Sequence, residues 1–386
     1  MGKHLVLVGG GHAHMSTMLH IDEVIARGHR ATVIGPRPHH YYSGMGPGLL
    51  GGTYRPQEVR FNIRKMVETR GAAFIQDTVV GIAGDERRLY LASGRVISYD
   101  VVSFNIGSLI PRDVFPTGHP RVIPVKPIDR LLTARRMIRS DLAKRDVTIV
   151  VAGGGAAGVE LAGNARRLGE DLPGTPKVTL VAGSAVLKRF PAKVARLATR
   201  AMVRRGIQVM TGVRVATITP EHVVLDDGVR VPADYVMLAI GIRPGRLFVD
   251  SGIPTAGDGG MMVEDTLRSI KFPEMFGGGD CIELRSRSLA KVGVYAVRQN
   301  PVLRYNLTAA LERRPLRSFK PQSSYQLILN LGDGTAIMSK WALVLDGTLA
   351  FIMKDHIDRK FMRKFQVSGE LDEPESVEGE GQNESA

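Results

Sequence analysis

Two glycine-rich turns, 144 residues apart, limit what this chain can fold into more than any other feature. The first lies in LVLVGGGHAHMSTML at 5–19 and the second in TIVVAGGGAAGVELAG at 148–163. Each turn follows a short apolar strand and precedes apolar residues at helical spacing, and each helix leads to another apolar strand. The sequence therefore predicts two βαβ units.

The repeat continues downstream of both turns. SGRVISYDVVSFNIG at 93–107 and DGVRVPADYVMLAIG at 227–241 each contain a hairpin turn, alternating strands and an apolar strand that ends in glycine, Gly241 in the second copy. Two copies of this length predict an α/β fold with two Rossmann-like dinucleotide-binding domains in tandem.

The two turns differ in the third glycine of the pattern G-x-G-x-x-G. The second turn has the complete set, Gly153, Gly155 and Gly158, whereas the first has Gly9 and Gly11 followed by His14. The third glycine serves the packing of helix on strand, so we expect the amides from Gly9 to Ala13 still to bind a pyrophosphate. His12 and His14 are each either a donor to a phosphate or a histidine packed at the helix start.

Neither unit has the acid that usually binds the adenosine ribose after the second strand. Gly35 occupies that position in the first unit and Ala182 in the second. The sequence therefore does not distinguish NADH from NADPH. The nearest bases, Lys188 and Arg189, lie too far along the chain to indicate a 2′-phosphate site.

The charge is unevenly distributed. The chain has a net charge of +14, but the last 17 residues, from Glu370, contain seven acids and no base, so the rest carries +21. We expect residues 370–386 to be a disordered acidic tail and the body to be attracted to an anionic surface. No nucleic-acid-binding motif is apparent, and the four histidines His12, His14, His39 and His40 have no carboxylate or cysteine at ligand spacing, so no metal site is predicted.

Cysteine content and hydropathy exclude two further classes. The single cysteine, Cys281, excludes an internal disulfide and any mechanism that cycles a cysteine pair, as in sulfide:quinone oxidoreductases. No apolar run reaches the roughly 18 residues that span a bilayer, and no signal peptide is visible. We expect a protein of the cytoplasm that is soluble or lies peripherally on the inner face of the cell membrane.

The two glycine turns are followed by AIGIRP at 239–244 and then by GGGDCIEL at 277–284. In this order of motifs the chain resembles the flavoproteins of the pyridine nucleotide-disulfide reductase superfamily. Within it the sequence is most similar to type II NADH dehydrogenases, particularly the flavoprotein module fused to selenophosphate synthetase in some bacteria. YYSGMGPGLLGG, VIPVKPIDR and KDHIDRKFM look like that group. The resemblance covers about residues 3–365 and implies FAD and NAD(P)H as cofactors.

The resemblance also implies where FAD lies. The first turn would hold its pyrophosphate, Asp280 after Gly279 would bind the ribityl chain, and the stretch Ser43, Met45, Gly46 and Pro47 would lie against the isoalloxazine ring. Lys126 and Lys291 match positions of the group; either stabilises charge on reduced flavin or is an ordinary surface lysine.

For the second nucleotide, the resemblance implies NAD(P)H at the Gly153–Gly158 turn, with Glu160 near the nicotinamide. The alternative is that Glu160 is a first-turn acid that complements the helix dipole. The segment at 293–299, which matches the quinone-site motif of type II dehydrogenases, keeps Ala296 and Gln299 but has Val294 and Arg298 instead of glutamines.

The C-terminal segment is predicted to form strands between Tyr325 and Leu345 and then a helix. In LAFIMKDHIDRKFMRKF the residues Met353, Ile357 and Phe361 form an apolar stripe, with bases, Lys354 among them, on the rest of the surface. Such a helix suits an anionic membrane surface, a homodimer interface, or a cover over the flavin domain with a solvated basic face.

These expectations combine into one scheme. An FAD domain at 1–118 and 246–318 is interrupted by an NAD(P)-binding domain at 119–245 and followed by an α+β interface segment at 319–369. Electrons would pass from NAD(P)H through flavin to a quinone-like or other small acceptor. The alternatives are a flavoprotein with a non-quinone acceptor, for example in selenium metabolism, and a non-catalytic nucleotide sensor.

Overall fold

The computed structural model describes residues 2–110, 121–341 and 343–375. The first of these ranges contains nine strands: β1 (His4–Val8), β2 (Arg30–Gly35), β3 (His39–Tyr41), β4 (Arg60–Asn62), β5 (Ala73–Gln76), β6 (Val79–Ala83), β7 (Arg88–Leu91), β8 (Val96–Ser98) and β9 (Val101–Phe104). Its helices are α1 (Met15–Leu19), α2 (Asp22–Ala26), α3 (Gly46–Leu50) and α4 (Ile63–Glu68), with short 3-10 helices at Ser43–Met45 and Pro56–Val59.

The next part contains a second alternation of strands and helices. Its strands are β10 (Val122–Pro124), β11 (Val147–Ala152), β12 (Pro176–Val181), β13 (Gln208–Met210), β14 (Val215–Ile218), β15 (His222–Leu225), β16 (Arg230–Pro232) and β17 (Tyr235–Leu238). Its helices are α5 (Arg130–Leu142), α6 (Ala156–Arg167), α7 (Ala192–Arg204) and α8 (Leu247–Asp250).

The last part returns to the first and then adds a separate segment. Its strands are β18 (Met261–Val263), β19 (Met275–Gly277), β20 (Ile282–Leu284), β21 (Leu327–Asn330), β22 (Ala336–Lys340) and β23 (Leu343–Gly347). The helices are α9 (Gly293–Leu311) and α10 (Thr348–Phe365), and 3-10 turns occur at Gly279–Cys281 and Glu370–Asp372.

Two parallel five-stranded sheets form the framework. Their strand orders are β19-β9-β1-β2-β5 and β10-β17-β11-β12-β13. In each, the strand before the glycine turn is central: Val6 pairs with Thr32 and Val102, as Val150 pairs with Thr179 and Val236. Both central strands are almost continuously apolar and buried, as parallel strands covered on both faces must be. The predicted α/β fold with two dinucleotide-binding units is confirmed.

The placement of β19 makes the first unit discontinuous in sequence. This strand follows the whole second unit and pairs in parallel with β9, with Phe276 opposite Ser103. The predicted domain boundary at 118/119 lies outside the described residues. The other predicted boundaries stay predictions.

The expectation of a disordered tail from Glu370 is wrong for residues 370–375. Glu370 is buried, and the Glu373 carboxylate accepts a hydrogen bond from His39 Nε2 at 2.8 Å and lies 3.1 Å from the guanidinium of Arg60. Arg60 is 0% exposed and also donates to the carbonyl of Pro374 at 2.6 Å. Acids near the end of a basic chain are therefore ordered here because they neutralise a buried cation. Residues 376–386 lie outside the described part.

Candidate active site

In the first glycine turn, Gly9 packs closely against the backbone of Asn105. Gly9 has φ +86°, and a Cβ there would lie 2.5 Å from the carbonyl oxygen of Asn105. Two of the amides expected to face a pyrophosphate bind protein instead: Gly9 donates to Ile34 O at 2.8 Å and Ala13 to Asn105 Oδ1 at 2.9 Å. The amides of Gly10, Gly11 and His12 have no acceptor within the described residues. The anion site predicted from Gly9 to Ala13 is thus narrower, three amides wide.

His14 is a packed histidine and not a phosphate donor. It is fully buried; its Nδ1 lies 2.7 Å from Gly9 O and its Nε2 2.8 Å from Ser103 Oγ. Burial lowers the pKa of His14 to about 4, so the ring is neutral at pH 7. The imidazole fills the place of the missing third glycine by linking the turn to β9. The alternative in which His14 donates to a phosphate is wrong, because both ring nitrogens already have protein partners.

His12 differs, because one nitrogen of its buried ring has no hydrogen-bond partner among the residues that the structure describes. This nitrogen is Nε2, and Nε2 of His40 is likewise unpaired within those residues; the two rings pack edge-to-face at 4.9 Å. Burial lowers the pKa of both, that of His40 to about 4. Buried polar atoms without partners are costly, so the two nitrogens fit a site completed by the polar groups of a bound cofactor.

A second cluster lies where β9 and β19 end. Asp280 is buried beneath the turn at Gly279; its Oδ2 accepts hydrogen bonds from Lys126 Nζ at 2.6 Å and from Ser108 Oγ at 2.8 Å. Oδ1 of Asp280 has no partner in the described residues, which leaves it for a hydroxyl such as those of a ribityl chain. Lys126 therefore has a defined structural partner and is not an ordinary surface lysine.

The predicted ring-binding stretch follows β3 and continues into α3. Met45, Gly46 and Pro47 are buried, and a Cβ at Gly46 would lie 3.1 Å from the side chain of Ile128. Ala296 lies near Gly279, whose amide donates to Gln299 Oε1 at 2.6 Å. Asn105 accepts a hydrogen bond from the Ala13 amide and donates one to the carbonyl of Gly278 at 2.6 Å. The structure thus brings the first turn, the 279–280 motif and the start of α9 into contact.

The second glycine turn is closed on one side and open on the other. Gly153 has φ +126° and donates to Val181 O at 2.8 Å, and a Cβ at Gly158 would lie 1.7 Å from Gly153 O. In contrast, a Cβ at Gly155 or Gly241 would meet no atom within 4 Å. The third glycine therefore packs α6 on the turn, while the second and the closing glycine face the open side where a dinucleotide would lie.

Glu160 points from α6 toward the C-terminal segment. Its Oε1 accepts a hydrogen bond from the Asn330 amide at 2.9 Å. Burial raises the pKa of Glu160 to about 7, and the charge of Lys354 opposes that shift. The helix begins at Ala156 and has no acid in its first turn. The alternative of a first-turn acid that complements the dipole is therefore wrong, because Glu160 lies one turn too deep.

Lys354 and Asp358 are functional candidates that the sequence alone did not reveal. Lys354 is 6% exposed and donates to Asp358 Oδ2 at 2.6 Å and to the carbonyl of Gly44 at 2.7 Å. Asp358 also accepts from Tyr42 Oη at 3.1 Å. The assignment of Lys354 to a solvated basic face is wrong. The available signal was the opposite-charge pair at i,i+4 on the helix side that carries the buried Phe365.

Comparison with known proteins shows to which family this chain belongs. A family model described as pyridine nucleotide-disulphide oxidoreductase matches residues 3–300. The chain is 28% identical over 292 residues to a NADH dehydrogenase-like protein of Mycobacterium tuberculosis, covering 70% of each. It is 27% identical over 207 residues to the type II NADH:quinone oxidoreductase of Haemophilus influenzae, 50% of this chain and 46% of that protein.

A similar solved structure is NDH2 of Plasmodium falciparum in complex with NADH. Its TM-score is 0.81 at 14% identity, with coverage of 98% of this chain and 100% of that one. The match of the family model over most of the chain decides the assignment. The chain belongs to the pyridine nucleotide-disulphide oxidoreductase family.

As a member of this oxidoreductase family, the protein is an NAD(P)H-dependent flavin enzyme with FAD as its cofactor. Its cysteine does not take part in disulfide chemistry within the chain. Cys281 is fully buried and unpaired, and burial raises its pKa to about 11. The electrons therefore pass through the chain without a cysteine pair.

Lys291 lies in a different environment from Lys126 in this oxidoreductase. Its Nζ donates to Glu283 Oε2 at 2.8 Å and to Ile282 O at 2.5 Å, and it lies 3.1 Å from Asp258 Oδ2. Burial lowers the pKa of Lys291, but the two carboxylates raise it by more. With its positive charge neutralised by neighbouring acids, Lys291 supports the 282–291 loop. A role at reduced flavin stays a prediction.

The outward side of α10 and the preceding hairpin present apolar side chains to solvent. Trp341 is 76% exposed and Leu349 62%, and the other exposed members of this surface are Leu343, Ile352, Met353 and Ile357. We call these six residues the apolar patch. Phe361, predicted to share the stripe, instead packs against Tyr42 with a ring separation of 4.8 Å.

Two kinds of feature are absent from the described ranges. No helix there is long and apolar enough to cross a membrane. Nor do three or more His, Cys, Asp or Glu side chains of those ranges converge as metal ligands would.

Proposed function

We propose that this oxidoreductase passes electrons from NAD(P)H through FAD to a quinone-like acceptor at the surface of an anionic membrane. One observation carries the proposal: α10 supplies Lys354 to the predicted ring-binding loop at Gly44 and, on its opposite side, most of the apolar patch. A single helix thus connects the predicted ring-binding stretch with an exposed surface suited to an apolar acceptor.

The fold supports this chemistry by positioning. FAD supplies hydride acceptance and two-electron transfer. The amides of Gly10, Gly11 and His12 would bind its pyrophosphate, Asp280 its ribityl chain, and the 43–47 stretch its ring. The Gly153–Gly158 turn would bind NAD(P)H. Close positioning of the two nucleotides and exclusion of water are what the protein adds.

Reduction of a quinone consumes protons as well as electrons, and the site holds suitable groups. Glu160, with a pKa of about 7, can give up or take a proton at its carboxylate near neutral pH. Lys354 Nζ lies between the Gly44 carbonyl and the Asp358 carboxylate, so its charge is held beside the ring-binding loop. These groups would stabilise negative charge that develops nearby and return protons afterwards.

The membrane surface is argued from the apolar patch and the bases around it. Lys360, Arg363 and Lys364 are exposed on the last two turns of α10. An exposed apolar strip flanked by bases fits the interface of an anionic bilayer. The inward side of the same helix covers the flavin unit. The alternative in which α10 covers the flavin domain is therefore compatible with membrane binding. The inner face of the cell membrane follows because the nicotinamide donor is cytoplasmic.

The names of relatives agree with this proposal. The Haemophilus influenzae relative is a type II NADH:quinone oxidoreductase, and the Mycobacterium tuberculosis relative is NADH dehydrogenase-like. The alternative acceptor, an oxidised selenium compound, and the alternative of a non-catalytic sensor both predict that reduced flavin is not reoxidised by quinone.

The experiment uses the FAD-loaded protein without oxygen. We expect NAD(P)H to bleach the flavin and a lipid-soluble quinone in anionic vesicles to restore its absorbance. The double variant Leu349→Ser, Ile352→Ser should stop floating with the vesicles and lose quinone activity while keeping reduction of ferricyanide. The matched control Val229→Ser, an exposed valine on the β15–β16 hairpin, should behave as wild type.

Three results would overturn the proposal. Reoxidation by a selenium compound or a ferredoxin, but not by quinone, would assign another acceptor. Vesicle binding that is unchanged in the double variant would remove the apolar patch from the membrane interface. A bound flavin that neither nicotinamide bleaches would favour the sensor.

A further inference from the structure

We propose that the donor is NADPH, with its 2′-phosphate bound by Lys188 and Arg214 at the carboxyl end of β12. This inference rests on the binding of NAD(P)H at the Gly153–Gly158 turn and names which of the two nucleotides the site prefers. Lys188 follows β12 closely in sequence, whereas Arg214 lies in the connection from β13 to β14.

The end of β12 has an alanine at the position where an acidic side chain usually binds the ribose. Ala182 is buried, its amide donates to Met210 O at 2.8 Å, and its Cβ would lie 2.6 Å from a Cβ added at Gly154. The ribose 2′-hydroxyl of NADH is usually bound by a carboxylate at this position. The site therefore lacks the group that favours NADH.

The loop after Ala182 folds back onto the glycine turn. The amide of Leu187 donates to Gly154 O at 2.7 Å, and both Val186 and Leu187 are buried. Lys188, the next residue, is exposed. Sequence distance alone did not indicate a 2′-phosphate site at Lys188, but the fold-back at Leu187 shortens its path to the glycine turn and makes the site possible to propose.

A second cation comes from another segment. Val213 forms an antiparallel bridge with Gly183, and the Gly212 amide donates to Gly183 O. This pairing puts the stem of Arg214 over the end of β12: its Cγ would lie 3.9 Å from a Cβ at Gly183. The backbone amide of Arg214 donates to Asp226 Oδ1 at 2.9 Å, which orients the segment.

Both cations are available to a ligand. Within the described ranges, neither the ammonium of Lys188 nor the guanidinium of Arg214 forms an ion pair, and both residues are exposed. Arg189 is close enough to Tyr325 for its charge to oppose the rise in the pKa of Tyr325 that burial and Tyr295 cause, so we do not assign it to the phosphate site. Arg214 therefore lies over the end of β12, and we assign the exposed Lys188, next to the buried Leu187, as the second cation of the phosphate site.

Charge makes this pair selective. A 2′-phosphate brings nearly two negative charges and three acceptor oxygens, which an arginine fork and a lysine bind by charge-assisted hydrogen bonds. The uncharged 2′-hydroxyl of NADH gains nothing comparable from two cations. Discrimination follows from the presence of bases and the absence of an acid at the same position.

The test compares 2′,5′-ADP with 5′-AMP by calorimetry on the FAD-loaded protein. We expect 2′,5′-ADP to bind at least tenfold more tightly. Lys188→Gln and Arg214→Gln should each weaken it roughly tenfold and leave 5′-AMP within about twofold, as loss of one charge-assisted hydrogen bond predicts. The matched control Arg204→Gln, an exposed arginine at the far end of α7, should change neither affinity.

Anaerobic titration of the flavin with NADPH and NADH separates the two proposals. Reduction by NADPH at lower concentration than by NADH, lost in the Arg214→Gln variant, supports the inference. Equal titration by both nucleotides, with equal affinities for the two adenosine probes in wild type, would overturn it and leave the oxidoreductase proposal intact. A flavin that neither nucleotide reduces while 2′,5′-ADP still binds tightly would refute the electron-transfer role and keep the phosphate site.

Discussion

Glu160→Gln should stabilise the protein in a way that depends on pH. The side chain is almost isosteric, and the glutamine oxygen can still accept the Asn330 amide. What changes is the buried ionisable group. The pKa of Glu160 rises from an ordinary 4.5 to about 7 because burial disfavours the carboxylate. We therefore expect the difference in stability between variant and wild type to grow over the pH range in which the unfolded chain ionises and the folded protein does not, and to persist above that range.

The sign and the magnitude follow from the two pKa values. Between pH 4.5 and about 7 the folded protein holds a proton that the unfolded chain has released, so wild-type stability falls as pH rises through this range. The interval corresponds to roughly 3 kcal/mol. This figure is an upper value, because Glu160 keeps some exposed surface and the variant deprives Lys354 of a carboxylate.

Urea unfolding in excess FAD measures the effect. The variant and wild type should have equal unfolding free energies near pH 4.5, and the variant should gain up to about 3 kcal/mol by pH 8. Glu221→Gln, at an exposed acid of the same unit, is the control and should show no such divergence. A wild-type minus variant infrared spectrum should show a protonated carboxyl band that disappears above pH 7. A stability difference that is constant with pH would refute the assignment.

Three further changes test the buried charges. Lys354→Met should cost about 3–5 kcal/mol in urea unfolding because Asp358 is left buried and unpaired, and Asp358→Leu in the same chain should recover most of it; equal losses in both variants would argue against the pair. Asp280→Ala should reduce FAD retention on gel filtration by tenfold or more while far-ultraviolet circular dichroism stays unchanged; full flavin content would contradict its role. Glu373→Gln should destabilise the fold by about 3 kcal/mol because Arg60 loses its counter-charge, whereas a neutral result would mean that the pair with Arg60 does not hold residues 370–375 against the fold.

The roles of the two histidines in the first turn could not be predicted from the sequence. The position of His14 in the glycine pattern was visible, but two roles were open for it. Contacts to Gly9 and to Ser103, 89 residues away, decide that it is a structural link. His12, two residues earlier, has the same local context and keeps an unpartnered nitrogen. Pattern alone could not separate them, because the difference lies in which distant strand each ring meets.

The sequence also did not predict which side of the C-terminal helix is buried. Helical periodicity placed Met353 and Ile357 together, and both are exposed as one surface. The hydrophobic pattern suited a membrane surface, a dimer interface or a cover over the flavin domain, and in each case it left Lys354 in solvent. The structure exposes Met353 and Ile357 but buries Lys354, because the lysine pairs with Asp358 and with the carbonyl of Gly44, which no helical pattern contains.

Residue patterns were sufficient to predict the two βαβ units, their glycine turns and the family. Strand, turn and helix preferences act over a few residues, so apolar runs and glycine spacing are sufficient to specify them. Tertiary structure alone decided that Lys354 is buried beside the ring-binding loop, that Glu373 neutralises Arg60, and that Arg214 lies over Gly183. Each of these is a charge placed by segments far apart in sequence, and its energy depends on burial and on partners that no local pattern contains.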